Sequence, residues 1–290
     1  MQVRFEIKED LSKDEIEELL TLGHFLEKDI VFRRDHEAAL KCYELAAKYN
    51  NADAFNRIGW LYGCGIGIKQ DIKRAVSYFK KAIKLNHPIA MVNLGKFYEQ
   101  GLIGEEPDFL KSCKYYKMAA GLGEPKGLFN YGNCLHYGLG TPKNMEAAFK
   151  IFKDLVDVDF TEAYFYLGMY YENGYVVEKD IELAREYYRQ GALKEDAYCF
   201  NELGRMYATG VGVNIDNFAA LDYYKHAAEL GDELGYTNMA FLYENGDLGE
   251  PDIKKAIELY EKAAKRGEPS VKPPTHPEAI PAPSFSTSTP

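Results

Sequence analysis

Residues 199–231, CFNELGRMYATGVGVNIDNFAALDYYKHAAELG, contain an arrangement that recurs through the chain. A small residue among apolar residues at helical spacing appears seven times, at steps of 36, 36, 37, 36, 36 and 36 residues. These anchor residues are Gly23, Gly59, Gly95, Gly132, Gly168, Gly204 and Ala240. A second glycine follows six residues after every anchor except the first, where Asp29 stands instead. A fixed period of this length is typical of proteins built from stacked repeats.

Each unit predicts two helices. The first contains the anchor and ends at the second glycine, because glycine accepts the left-handed conformation that closes a helix. The second begins at a short polar side chain that can accept bonds from first-turn N–H groups. These caps are Asp35, Asp71, Asp108, Asn144, Asp180, Asp216 and Asp252. A glycine inside the first helix costs roughly 1 kcal/mol relative to alanine, so we expect a neighbouring helix to leave no room for a side chain there.

The glycine-rich turn could also be interpreted as a phosphate-binding loop. Residues 62–69, YGCGIGIK, have glycines two apart followed by a lysine, as in some phosphate-binding loops. Phosphate loops follow a strand and end in Gly-Lys-Ser/Thr or read GxGxxG, whereas this turn follows a helical pattern. The turn also recurs as YGLG and TGVG. Its repetition indicates architecture and not a phosphate site.

A single helix pair of this length cannot bury its apolar face, so seven in tandem should stack on one another. We expect an all-α fold, a right-handed α/α superhelical solenoid in one elongated domain. Its predicted parts are an N-terminal arm at 1–15, a solenoid at 16–267 and a Pro/Ser/Thr-rich tail at 268–290 that lacks core-forming composition. The predicted repeats are 16–50, 51–86, 87–123, 124–159, 160–196, 197–231 and 232–267.

Composition narrows the function classes. The 290 residues include 35 Lys and Arg against 45 Asp and Glu, a net charge of −10, so the broad basic surface of a nucleic-acid binder is missing. No stretch of 18 consecutive apolar residues predicts a membrane span, and the first 15 residues show no secretory pattern. The five cysteines form no CxxC pair, which suits a reduced compartment. We expect a cytoplasmic protein that meets membranes only through partners.

No catalytic, cofactor or metal site is predicted. The six histidines are scattered and form no HExxH motif, and no nucleophile elbow or kinase motif set is present. Four acids share one register and could suggest paired catalytic carboxylates: Glu27, Glu99, Glu172 and Glu244. Neighbouring helices of a solenoid lie about 9–10 Å apart, so this spacing indicates a repeated structural role.

The units AMVNLGKFYEQG (90–101) and residues 199–231 resemble the Sel-one-like repeat family, a relative of the tetratricopeptide repeats. The shared pattern is LGxxYxxGxGVxxDxxKAxxYYxKAAxxG, and it covers 16–267. The first repeat lacks its turn glycine. The fourth, with AAFKIFKDLVDVD at 147–159, lacks the tyrosine pair and the closing alanine pair, which predicts different packing or a bend. The resemblance implies a scaffold that binds other proteins on a concave face lined by first helices.

That placement implies binding residues three before, one after and four after each anchor. The predicted set is Asn56, Trp60, Lys96, Glu99, Asn133, His136, Met169, Glu172, Asn201, Arg205 and Phe241. Glu244, Phe129 and Phe165 share the register, and the alternative that the three phenylalanines are core between helices stays open. Lys96, Asn133 and Arg205 match the tetratricopeptide carboxylate clamp only in part, so no such clamp is predicted.

Two other functions are carried as alternatives. Some cysteine-rich relatives are penicillin-binding hydrolases with a cysteine pair in each repeat, but here the five cysteines fall in five different registers. Other relatives are regulatory activators of membrane-associated enzymes. We further predict self-association or partner docking through the last repeat, because no polar helix follows it to shield Ile253, Ile257 and Tyr260.

Overall fold

The computed structural model describes residues 11–28 and 35–267. The first ten residues of the predicted arm, the turn at Asp29 and the tail at 268–290 lie outside the described residues. In the described part every regular element is a helix, which confirms the all-α prediction. The helices are α1 (Lys13–Lys28), α2 (His36–Lys48), α3 (Ala52–Cys64), α4 (Ile72–Lys84), α5 (Pro88–Glu99), α6 (Phe109–Gly121), α7 (Pro125–Tyr137), α8 (Met145–Asp157), α9 (Glu162–Asn173), α10 (Ile181–Leu193), α11 (Ala197–Thr209), α12 (Asn217–Glu229), α13 (Glu233–Asn245) and α14 (Ile253–Gly267).

The helices alternate between a first and a second helix of each repeat. Every helix packs against the one before and the one after it along the chain, so the seven pairs form one row. First helices of neighbouring repeats also contact each other directly, as α3 does with α5, α5 with α7, and α9 with α11. The first helices therefore lie side by side along one side of the row, which we call the inner surface, and the predicted solenoid is confirmed.

Helix ends follow the predicted chemistry. Each of the seven predicted caps accepts a hydrogen bond from the backbone N–H three residues later, at 2.8–2.9 Å. Five first helices end at a glycine in the left-handed region, with φ between 66° and 76°. Helix α5 differs, because its C-cap residue is Gln100 and the left-handed Gly101 follows it.

The anchor glycines lie under the aromatic ring of the second helix in the same repeat. A Cβ added to Gly168 would stand 2.3 Å from Cε1 of Tyr188, and one added to Gly59 would stand 2.8 Å from the Phe79 ring. These distances confirm the predicted lack of room. In the fourth repeat a Cβ on Gly132 would stand 2.9 Å from Phe152, so the predicted difference in packing is not found at this contact.

The same second-helix aromatic residue also joins each repeat to the next. It packs in one core cluster with the residue that lies two positions after the following anchor. The six pairs are Tyr43 with Leu61, Phe79 with Phe97, Tyr116 with Cys134, Phe152 with Tyr170, Tyr188 with Met206, and Tyr224 with Leu242. A continuous core therefore runs from the first repeat to the seventh.

The glycine-rich turn also makes a contact between repeats. A Cβ on Gly67 would stand 2.3 Å from Cβ of His36, and one on Gly212 would stand 2.4 Å from Ile181, both in the preceding repeat. These glycines have φ of 68° and 69°. The turn thus packs repeat on repeat, as the architectural interpretation predicted. In the fifth repeat Val176 occupies this position with φ 52°, a conformation that β-branched residues rarely adopt.

Candidate protein-interaction surface

The predicted binding residues all lie on first helices, but burial divides them into two groups. Five of the residues in the predicted register are 5–8% exposed: Asn56, Phe129, Asn133, His136 and Asn201. The exposure expected for Asn56, Asn133, His136 and Asn201 is wrong, because neighbouring side chains cover them, and Phe129 is a core residue, the alternative left open for it. Asn56, His136 and Asn201 bond to side chains of the neighbouring repeat, whereas Oδ1 of Asn133 has no hydrogen-bond partner among the described residues.

Buried asparagines form two equivalent links between first helices. Nδ2 of Asn93 donates to Oδ1 of Asn56 at 2.9 Å, and Nδ2 of Asn238 donates to Oδ1 of Asn201 at 2.8 Å. Each link joins residues 37 positions apart, so it connects adjacent repeats. A buried amide needs a hydrogen-bond partner, and these pairs supply it. They fix how one first helix lies against the next.

The buried His136 belongs to an aromatic cluster between the fourth and fifth repeats. Its Nδ1 lies 2.8 Å from the hydroxyl of Tyr170, which also donates to the backbone oxygen of Met145 at 3.2 Å. Burial, with a smaller effect of Lys143, lowers the pKa of His136 to about 4. The imidazole is therefore neutral at physiological pH and serves as a structural hydrogen-bonding group.

The recurring glutamates bond to the tyrosine that covers the anchor glycine. Tyrosine hydroxyls donate to these carboxylates at 2.7–2.9 Å in four repeats: Tyr43 to Glu27, Tyr116 to Glu99, Tyr188 to Glu172, and Tyr260 to Glu244. Where the glutamate is replaced by Gly63 or His136, the aromatic residue is Phe79 or Phe152, whereas in the sixth repeat Ala208 occurs with Tyr224. Glu99 and Glu172 thus have a structural role within their own repeats. Every glutamate at this position occurs with a tyrosine, a signal that is visible in the sequence and could have identified this role.

Arg205 joins the fifth and sixth repeats. Its Nη2 pairs with Glu172 of the preceding repeat, and its Nε lies 2.6 Å from Oε2 of Glu202. Burial raises the pKa of Glu202, and Arg205 opposes that shift. Because one guanidinium serves two carboxylates in a partly buried place, this cluster holds the two first helices in register.

Lys96 occupies the same register three repeats earlier, in different surroundings. Burial lowers its pKa, and the nearby Lys126 lowers it further, while Glu99 and Glu162 act in the opposite direction. The preceding repeat has Gly63 where Glu172 stands beside Arg205. Lys96 therefore lacks the cross-repeat carboxylate that Arg205 has.

The residues that stay accessible on the inner surface are of mixed chemistry. Trp60, Lys96, Met169 and Arg205 are half-buried, and Phe241 is 52% exposed with its ring edge against Tyr260. They come from α3, α5, α9, α11 and α13, so they run along the inner surface for most of the array. None of the helices in the described part of the chain is long and apolar enough to cross a bilayer.

Comparison with known proteins finds seven repeats, in agreement with the period in the sequence. A family model described as the Sel1 repeat matches residues 22–50, 52–87, 88–124, 125–153, 161–196, 201–232 and 234–268. A solved structure of a Sel1 repeat protein from Oxalobacter formigenes is 31% identical, with a TM-score of 0.71, and the match covers 87% of this chain and 98% of that one. A protective antigen of uropathogenic Escherichia coli strains, described as displaying an SLR fold, is 26% identical with a TM-score of 0.64, over 87% of this chain and 54% of that one.

Two curated fungal proteins are each similar to this chain over a segment of about 90 residues. Chitin synthase regulatory factor 3 of Schizosaccharomyces pombe is 32% identical over 91 residues, and Protein SHC1 of Saccharomyces cerevisiae is 29% identical over 89 residues. The segment is 31% of this chain in both cases. It spans only 10% and 17% of the length of these relatives.

Proposed function

Because the chain belongs to the Sel1 repeat family, we propose that it is a non-enzymatic scaffold that binds partner proteins on the inner surface of its solenoid. The observation that carries the proposal is the row of accessible aromatic, methionine and basic side chains on that surface. Aromatic, methionine and arginine side chains of this kind dominate binding energy in protein interfaces. The partners we propose are peptide segments or folded domains of other proteins, met in the cytoplasm and without a cofactor.

Burial refines the predicted binding set. Trp60, Met169 and Phe241 offer apolar surface to a partner, and Lys96 offers a cation where the preceding repeat has Gly63 in place of a glutamate. Glu99, Glu172 and Arg205 keep accessible atoms while serving the fold. Asn56, Asn133, His136 and Asn201 support the surface from beneath, so we propose only an indirect role for them.

The test is affinity capture from a native cell extract followed by mass spectrometry. Wild type is compared with a Trp60→Ala, Phe241→Ala variant, and Leu110→Ala is the matched control because Leu110 is an exposed apolar residue on the second helix α6. A partner held by wild type and the control but lost by the double variant supports the proposal. Equal recovery by all three proteins would contradict binding on the inner surface.

A second candidate function is regulation of a membrane-associated enzyme. It is favoured by the similarity to a protein whose name describes it as a chitin synthase regulatory factor. We propose this as a special case of the scaffold function, in which the captured partner is the enzyme or its anchor. Recovery of a membrane synthase with the wild-type protein, and its loss with the double variant, would support it.

We also propose that the chain associates with itself through the last repeat. Ile253 and Ile257 on α14 are exposed, as the sequence predicted.

A further inference from the structure

The first repeat exposes an apolar residue that every later repeat buries. The residue two positions after the anchor is at most 4% exposed in the six later repeats: Leu61, Phe97, Cys134, Tyr170, Met206 and Leu242. In the first repeat this residue is Phe25, and it is 55% exposed. Its equivalents are covered by the second-helix aromatic residue of the preceding repeat, as Phe97 is by Phe79 with ring centroids 5.3 Å apart. Phe25 therefore offers the first-helix side of a contact between repeats, without the aromatic ring that covers its equivalents.

The last repeat presents the other half of that contact. Ile253 and Ile257 of α14 are 54% and 52% exposed. Their equivalents in the fifth repeat, Ile181 and Arg185, are half-buried, because the turn of the next repeat lies on them through Gly212. Tyr260 is the second-helix aromatic residue of this repeat and has no following first helix among the described residues.

The two ends carry opposite charge. Helix α1 has five acidic and two basic residues, a net charge of −3, and Asp14, Glu17 and Glu18 are exposed. Helix α14 has five basic and two acidic residues, a net charge of +3, and Lys262 and Lys265 are exposed. Complementary potentials of this kind steer association and fix orientation. Two copies of α14, by contrast, would repel each other.

We propose that copies of this chain associate head to tail, with α1 of one copy seated on α14 of the next. The inference deepens the proposed self-association, on which it rests, by naming the surface that meets the last repeat. The register follows from the six junctions inside the molecule. Phe25 lies on Tyr260 and Ala256, as Phe97 lies on Phe79 and Ala75.

The charged residues follow from the same register. Five residues before each later anchor is a small buried residue, and in the fourth repeat this residue, Gly127, packs on the closing alanines 119 and 120 of the preceding repeat. In the first repeat Glu18 occupies this position and is exposed. Seated on α14, Glu18 faces the closing alanines 263 and 264 and the adjacent Lys262 and Lys265. A charged side chain in place of a small one gives a looser, salt-sensitive junction, so the association is reversible.

A contact between two different surfaces of the same chain does not give a two-fold dimer. Each associated pair keeps one free end of each kind, so the assembly grows further into an open chain or a ring. This property separates the proposal from simple pairing of two C-terminal repeats.

The experiment is sedimentation velocity of the full chain over a concentration series up to about 1 mM, where weak protein contacts become populated. We expect the mean mass to rise above the 32.9 kDa of one copy, past that of a dimer, and to fall when salt is added. Phe25→Glu and Ile257→Glu each block one end, and each variant alone should remain at the mass of one copy. Leu110→Glu, at an exposed position away from both ends, should behave as wild type.

Mixing the two blocked variants gives the decisive result. The Phe25→Glu protein keeps a working last repeat and the Ile257→Glu protein keeps a working first repeat, so an equimolar mixture should form a one-to-one dimer and nothing larger. Glu18→Lys and Lys265→Glu, both at exposed positions, should each weaken association about tenfold, because each brings like charges together at the junction. An equimolar mixture of the two variants should recover association, because the reversed charges are complementary to each other and the native pair forms at the other junction.

Three outcomes would overturn the proposal. Wild type that stays at the mass of one copy at all concentrations would rule out association. Self-association of Phe25→Glu alone would show a two-fold contact between last repeats, and self-association of Ile257→Glu alone would show a contact elsewhere. Circular dichroism confirms that each variant is folded. The assay contains no partner protein, so its failure leaves the inner-surface proposal intact, and failure of the capture experiment leaves this one intact.

Discussion

Replacing the anchor Gly168 by alanine tests the contact on which every repeat depends. The new Cβ would stand 2.3 Å from Cε1 and 2.5 Å from Cδ1 of Tyr188, whereas carbon atoms pack at about 3.5–4.0 Å. The ring cannot turn aside easily, because it is buried and its hydroxyl donates to Glu172 at 2.9 Å. Overpacking typically costs about 1–3 kcal/mol, and an approach of 2.3 Å to a ring that is held in place belongs at the upper end of this range, about 3 kcal/mol. Against it stands a helix-propensity gain of about 1 kcal/mol, so we expect a net loss of about 2 kcal/mol.

Gly121→Ala is the matched control. Gly121 is the last residue of α6, and a Cβ there would have no heavy atom within 4 Å. The same substitution should therefore stabilise by about 0.5–1 kcal/mol, through propensity and a less flexible unfolded chain. Urea unfolding followed by circular dichroism measures both variants. If Gly168→Ala unfolds at the same or a higher urea concentration than wild type, the close approach of the first and second helices is refuted.

Three further predictions use single positions. Burial raises the pKa of Asp232 to about 7, against about 3.9 in an unfolded chain. Between these two values the folded state binds more protons than the unfolded state, so the free energy of unfolding falls as pH rises from about 4 to 7. Asp232→Asn removes that fall and should gain about 4 kcal/mol over wild type at pH 8, since one pKa unit corresponds to about 1.4 kcal/mol, and nothing below pH 4. The exposed cap variant Asp180→Asn should show no such gain, and a pH series of urea melts measures both variants. Val176→Gly relieves a left-handed valine and should raise stability by about 0.5–1 kcal/mol, and a lower unfolding midpoint would contradict the strain. Arg205→Met leaves two partly buried carboxylates without their cation and should lower the free energy of unfolding by about 1–3 kcal/mol, less at pH 4 than at pH 7. A loss of stability that does not depend on pH would show that packing and not charge explains the effect.

The helix boundaries of each repeat could be predicted from the sequence, because the residues that set them act on their near neighbours in the chain. A capping aspartate such as Asp71 and the glycine that closes a helix act within a few residues, so period and residue type suffice to predict them. The clash at the anchor glycines was also predictable, since a glycine inside a helix needs a packing reason. The fourth repeat departs from the sequence pattern, but its packing at the anchor Gly132 is unchanged, because Phe152 fills the place of the missing tyrosine.

The surface was harder to predict, because exposure depends on contacts between residues about one repeat apart. Arg205 and Lys96 share one register, but only Arg205 faces a glutamate from the preceding repeat. His136 is buried because Tyr170, 34 positions later, lies against its ring. A register names candidate positions, and only the neighbouring repeat decides whether a side chain there is accessible.

Hydrogen exchange of the chain, alone and with the captured partner, tests the central claim most directly. The inner-surface proposal predicts slower exchange in peptides from the first helices α3, α5, α9, α11 and α13, and unchanged exchange in the second helices on the outer side. Protection confined to second helices, or to α1 and α14 at the ends, would contradict it.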